Sequence, residues 1–190
     1  MRIAQVAPLI ESVPPKHYGG TERIVSYLTE ELVRGGHDVT LFASGDSVTS
    51  ARLIASCERS LRKNERCKDP VAREVLLVDH VIEHVKKFDL IHFHTGYLHF
   101  PVCRYLPVPH VTTLHGRLDV PDLVPVFDRF RKRTTYIYFQ RSTATVALGE
   151  LGGDDLPWLT KRIIRILPQF RGLRCFFRTN LTREASRSGN

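Results

Sequence analysis

Ile3-Ala4-Gln5-Val6-Ala7, then Gly19-Gly20-Thr21-Glu22, then Val39-Thr40-Leu41-Phe42-Ala43 are the stretches whose order decides the fold class. The first and third are short, mostly apolar runs, as expected of strands covered by helices on both faces of a parallel sheet. Between them Ile24, Val25, Leu28 and Leu32 recur at helical spacing, and Gly35-Gly36 is expected to stop that helix. Strand, helix and strand form a βαβ unit, and the pattern continues outward. Val75, Val78, Val81, Ile82 and Val85 are read as one helix face, and Leu90 to Phe93 and Val111 to Leu114 as two more strands. Between Ser47 and Asp69 only a short strand near Leu53 and Ile54 is read. A helix over Tyr97 to Tyr105 carries Pro101 as a kink or in its first turn. The expectation is an α/β protein with a doubly wound parallel sheet.

A chain of 190 residues has room for one domain, or one and a fragment. With 42% hydrophobic and 25% charged residues it has the make-up of a soluble globular protein, which argues against a disordered or collagen-like chain. The net charge of +8 is unevenly placed: residues 1–130 carry 16 Lys and Arg against 16 Asp and Glu, residues 131–190 carry 12 against 4. The whole excess therefore belongs to a basic tail. Cys57, Cys67, Cys103 and Cys175 form no C-x-x-C pair, so a reducing cytoplasm is the expected compartment. Gln5, Pro8 and Glu11 interrupt the apolar N-terminal run, which speaks against a signal peptide, and no stretch of 18 apolar residues suggests a spanning helix.

In doubly wound sheets ligands bind beyond the carboxyl ends of the strands, which directs attention to the loops after Ala7, Phe93 and Leu114. Gly19-Gly20 before a helix lets a phosphate or sugar approach backbone N–H groups at the positive end of the helix dipole; a flexible loop explains the same residues equally well. A nicotinamide site would need G-x-G-x-x-G directly after the strand, and Gly19 stands too far downstream. His92, His94 and His99 flank Thr95-Gly96 at one strand end, and His115-Gly116 ends another. Imidazoles there can hydrogen-bond a sugar hydroxyl or steady a developing charge, whereas a lone histidine is usually structural. His80-Val81-Ile82-Glu83-His84 matches the inverted zinc-peptidase pattern H-x-x-E-H. A third ligand from downstream would have to be Glu150 or Glu184, both in the tail, so no metal is expected and His80 and His84 are read as facing solvent.

Taken together, Gly19-Gly20-Thr21-Glu22, Gly35-Gly36-His37-Asp38-Val39 and Thr112-Thr113-Leu114-His115-Gly116 resemble the N-terminal domain of family 4 glycosyltransferases over residues 1–130. The resemblance implies the N-terminal, Rossmann-like half of a GT-B enzyme, in which two such domains face a cleft. It implies sugar transfer from a nucleotide-diphosphate sugar, typically with retention, without a bound metal or other cofactor. The partners would be the nucleotide sugar and a carbohydrate or lipid-linked acceptor, with peripheral membrane contact at the cytoplasmic face and no specific nucleic acid. Carried over, Gly19 and Gly20 line the cleft near the donor phosphates, His115 is the catalytic candidate beside the transferring sugar, and His94 and Gly116 belong to the substrate site.

After Phe130 the resemblance stops, and residues 131–190 are read as an irregular tail without a recognisable domain. Shifting the frame by one base allows Thr134 to Thr160 to read PLISISNAQRRPLPWANWVATIYHGLP and Leu173 to Gly189 to read YVAFFGRISPEKRPDRA, both similar to family 4 sequence in its proper order. The Arg and Lys of the GRISPEK string, which resembles the family's donor-diphosphate clamp, align with Thr179 and Glu184. The expectation is a truncated, inactive form without the donor-binding domain. The alternative is a non-catalytic α/β binding module whose basic tail, beginning Arg131-Lys132-Arg133, contacts nucleic acid or anionic membrane.

Overall fold

The computed structural model describes residues 1–62, 64–117 and 120–130, together with the backbone of residues 135–138, 144–147 and 175–178. In chain order the elements are β1 (Arg2–Val6), α1 (Gly20–Arg34), β2 (Asp38–Ser44), β3 (Arg52–Cys57), α2 (Pro70–Glu83), β4 (Leu90–Phe93), α3 (Phe100–Cys103), β5 (His110–Leu114), α4 (Val124–Phe130) and β6 (Thr135–Tyr138). The six strands form one sheet in the order β3-β2-β1-β4-β5-β6, and every pairing is parallel. The strands β7 (Ala144–Ala147) and β8 (Cys175–Arg178) pair separately, also in parallel. This order is that of a doubly wound, Rossmann-like sheet, and it reverses direction between β1 and β4. The sheet does not end at Phe130, since Val111–Leu114 of β5 pair with Thr135–Tyr138.

Strand register decides which side chain meets which helix. Ala4, Val6, Phe42, Ile91 and Phe93 point to one face and pack with Leu77, Val81, Val85 and Phe88. On the other face Ala7, Leu41 and Ala43 pack with Val25 of α1. The strands are buried on both sides, which is why β1, β2 and β5 read as runs rather than alternations. Among the strands whose side chains are described, only β3 is half-buried along its length, and its polar residues hid it in the sequence beyond Leu53 and Ile54.

Local chemistry sets the helix ends. The Asp69 carboxylate accepts from the N–H groups of Val71 (2.9 Å) and Ala72 (3.1 Å), with Pro70 at the first helical position of α2. Gly36 adopts φ 79°, the left-handed turn that a side chain disfavours, as the chain leaves α1, and the His37 N–H returns to the Leu32 carbonyl at 3.1 Å. Pro101 lies in the first turn of α3, which is shorter than the Tyr97–Tyr105 reading.

Most of the expected face of α2 is buried, with Val75 the exception. Leu77, Val78 and Val81, followed by Val85, are buried, Ile82 is only half-buried, and Val75 is 54% exposed. At 100° per residue Val75 lies nearly opposite Leu77, a core residue that the expected face left out. His80 and His84 do not face open solvent. Both are half-buried, with their rings edge-on to Phe42 at 5.8 and 5.9 Å. Among the described residues no helix is long and apolar enough to cross a membrane.

Candidate functional site

The carboxyl ends of β1 and β4, where strand order reverses, carry a chain of buried polar side chains. Gln5 and His92 are register partners across this reversal point, and both lie on the sheet face that α1 covers. Parallel pairing places Thr113 of β5 on the same face, while His94 and His115 follow the last residues of their strands. Contacts link all five: His92 Nε2 to Thr113 Oγ1 at 2.7 Å, Gln5 Nε2 to His92 Nδ1 at 3.4 Å, His94 Nε2 to Gln5 Oε1 at 2.9 Å, and His94 Nδ1 to His115 Nε2 at 3.0 Å.

Burial makes these imidazoles neutral. His92 is held down to about 3 and His115 to about 4, chiefly by removal from water, and His94 lies well below the ordinary value for the same reason. A neutral imidazole has one donor and one acceptor nitrogen, so the amide of Gln5 fixes every direction. Its oxygen must accept from His94 Nε2–H, which makes His94 Nδ1 an acceptor. His115 then donates from Nε2–H to His94, and its Nδ1 becomes the acceptor nitrogen of that ring. On the other side Gln5 donates to His92 Nδ1, and His92 Nε2–H donates to the Thr113 hydroxyl. The result is a one-way hydrogen-bond chain holding His115 in a single tautomer and orientation at the rim.

The structure thus brings two of the sequence candidates, His94 and His115, into direct contact. His94 is buried, whereas His115 is partly accessible and followed by exposed Gly116, around which a Cβ would meet nothing within 4 Å. His99 is separated from them. It stacks on Phe93 at 4.0 Å on the opposite face and bonds Thr95 and Thr112, a structural role. Gln5 was missed because, within an apolar run, it read as an interruption. Its signal was position: a buried strand residue that must have partners.

Gly19 and Gly20 start α1 at the same edge of the sheet, and the two differ. A Cβ on Gly19 would lie 2.7 Å from Pro15 Cβ and 3.0 Å from Glu22 Oε2, so this glycine is required by packing. Gly20 is exposed, with nothing within 4 Å of such a Cβ, and leaves the first turn open to an anion or sugar. The preceding loop is braced by Val48 N–H to the Val13 carbonyl (2.7 Å), Val13 N–H to Ser47 Oγ (2.9 Å) and Leu61 N–H to the Leu9 carbonyl (2.9 Å). Buried Glu22, whose carboxyl is raised by desolvation, accepts from the Glu11 N–H at 3.3 Å.

Comparison with known proteins adds the following. Among solved structures, the avilamycin A biosynthesis glycosyltransferase AviGT4 is 20% identical over 61% of this chain and 32% of its own, with a TM-score of 0.37. Sucrose-phosphate synthase from Thermosynechococcus elongatus is 14% identical over 92% and 47%, with a TM-score of 0.48. The C-terminal domain of the coenzyme A biosynthesis bifunctional protein CoaBC is 13% identical over 88% and 92%, with a TM-score of 0.49. The chain thus spans about a third of AviGT4 and about half of the synthase. Comparison with curated proteins finds no match. The Glycosyltransferase Family 4 model matches residues 18–168, from the glycine turn to well past the Phe130 boundary read from the sequence. With that match spanning most of its length, the chain belongs to glycosyltransferase family 4.

Proposed function

We propose that this chain is the acceptor-side domain of an enzyme that moves a sugar from a nucleotide-diphosphate sugar to a carbohydrate or lipid-linked acceptor. The observation that supports this most is the oriented His94–His115 pair at the carboxyl edge, beside the point where strand order reverses. In this reading His115 lies beside the transferring sugar, and His94 positions it. The N–H groups at Gly20 meet the donor phosphates, while Gly116 leaves room for the sugar. Gly19 shapes that turn through its contact with Pro15. The setting would be cytoplasmic, at the membrane surface where the acceptor carries a lipid.

Glycosyl transfer needs donor and acceptor held together in one closed cleft. Among the described residues there is one wall, so we further propose that the 190 residues as given do not turn over a nucleotide sugar. A transfer assay with uridine and guanosine diphosphate sugars and simple glycoside acceptors should show no product. Robust turnover would refute the one-wall proposal. Sequencing the coding DNA across Phe130 tests the frame separately.

A further inference from the structure

At the amino-terminal edge of the sheet, opposite the histidine chain, the last turn of α2 gathers a second set of ligating groups. His80, Glu83 and His84 are three and four residues apart, which on a helix places them on one face. One ligating atom from each lies within 4.8 Å of the others. Glu83, rather than a downstream glutamate, is the third group of this cluster.

Two further observations show a shaped site rather than two surface imidazoles. The His84 Nδ1 donates to the His80 carbonyl at 2.9 Å, which fixes the tautomer and leaves the Nε2 lone pair for a metal. A backbone carbonyl on the far nitrogen is the usual outer support of a ligating histidine. Both rings are also held against Phe42, 5.0 Å from one another, and His80 Nδ1 lies 3.4 Å from Ser56 Oγ. Their orientations are thus set before any ion arrives.

We propose that this turn of α2 binds one divalent transition-metal ion of the zinc and nickel class through His80, Glu83 and His84. Two imidazoles and a carboxylate suit that class, and three protein ligands leave a position for water. Calcium and magnesium, which demand oxygen ligands, are excluded by the same donor set. Arg2, Arg52 and Lys87 line the adjoining groove with His84, and Asp38 partly offsets them, so affinity is moderated by neighbouring cations. Bound there, the ion would staple the last turn of α2, whose rings pack on Phe42, a structural role remote from the carboxyl edge.

Nickel titrated calorimetrically into the purified 190-residue chain tests this, with a thermal shift as the second readout because a ligand of the folded state raises its melting temperature. The expected result is one saturable equivalent and a rise in Tm. Affinity should fall at least about tenfold in His84→Gln and His80→Gln, which keep most of the volume against Phe42, and in Glu83→Gln, whose exposed position spares the fold. The exposed-histidine control His17→Gln should leave binding unchanged. Absence of saturable binding up to about 1 mM nickel, a limit near −4 kcal/mol, would overturn the proposal. So would equal binding by the wild type and His84→Gln, which would place the ion elsewhere, for example on thiols. Unchanged affinity in Glu83→Gln would overturn the three-ligand site.

Discussion

The carboxamide of Gln5 lies between two imidazoles, accepting from His94 and donating to His92, so the direction of each donor through to His115 follows from it. Gln5→Leu should strand one donor and one acceptor in a buried site, a destabilisation of about 1–3 kcal/mol by urea unfolding. The more specific sign is in the nitrogen-15 shifts of the imidazoles. His94 and His115 should lose their single tautomers in the variant, while His99, bonded to Thr112 and Thr95, keeps its own. A variant with unchanged imidazole shifts would remove Gln5 from the account. Acid should act on the same groups. His92 and His99, each held down to about 3, and His115, held down to about 4, stay neutral in the folded chain, while their unfolded counterparts protonate near 6.5. The unfolded state therefore binds more protons below that value. Stability is full above about pH 6.5 and is lost as pH falls toward 4, by about 1.4 kcal/mol per pH unit for each such histidine. Urea midpoints at several pH values should show this fall, with a shallower slope in His99→Gln; a flat profile from pH 7 to 5 would contradict it.

Among the elements, α1 carries the sharpest contrast. Its two starting glycines look alike in sequence, yet only Gly19 is pressed against Pro15. Gly19→Ala should cost about 1–3 kcal/mol, as overpacking does, whereas Gly20→Ala should be neutral or stabilising, since alanine is the better helix former by up to about 1 kcal/mol. Equal effects in chemical denaturation would show that the turn is not set by packing. What could be read beforehand followed burial. The strands β1, β2, β4 and β5 are covered on both faces, so their composition announced them, and the glycine pair after α1 marked its end. The edge strand β3 has only half its surface covered, and its composition is correspondingly mixed. In α2 Val78, Val81 and Val85 were legible as core, whereas Val75 is exposed and Leu77 takes a buried place that the expected face left out. At the site, His94, His115 and Gly116 could be found by their place after strands. The bond that joins the two histidines could not, because it depends on register between β1, β4 and β5.

For the whole molecule, the sheet separates two chemistries. The carboxyl edge presents the oriented histidines, the open turn at Gly20 and Gly116, while the amino edge presents the His80–His84 turn and the groove lined by Arg2, Arg52 and Lys87. In the function proposed above, the sugar meets the carboxyl edge, where ligands of doubly wound sheets bind. The most direct test follows the imidazole and backbone amide resonances while a panel of uridine and guanosine diphosphate sugars is titrated into the chain. The account predicts weak, saturable shifts at His115, His94, Gly116 and Gly20, with His80 and His84 unmoved. Shifts confined to the amino edge, or a carboxyl edge that stays silent across the whole panel, would contradict it.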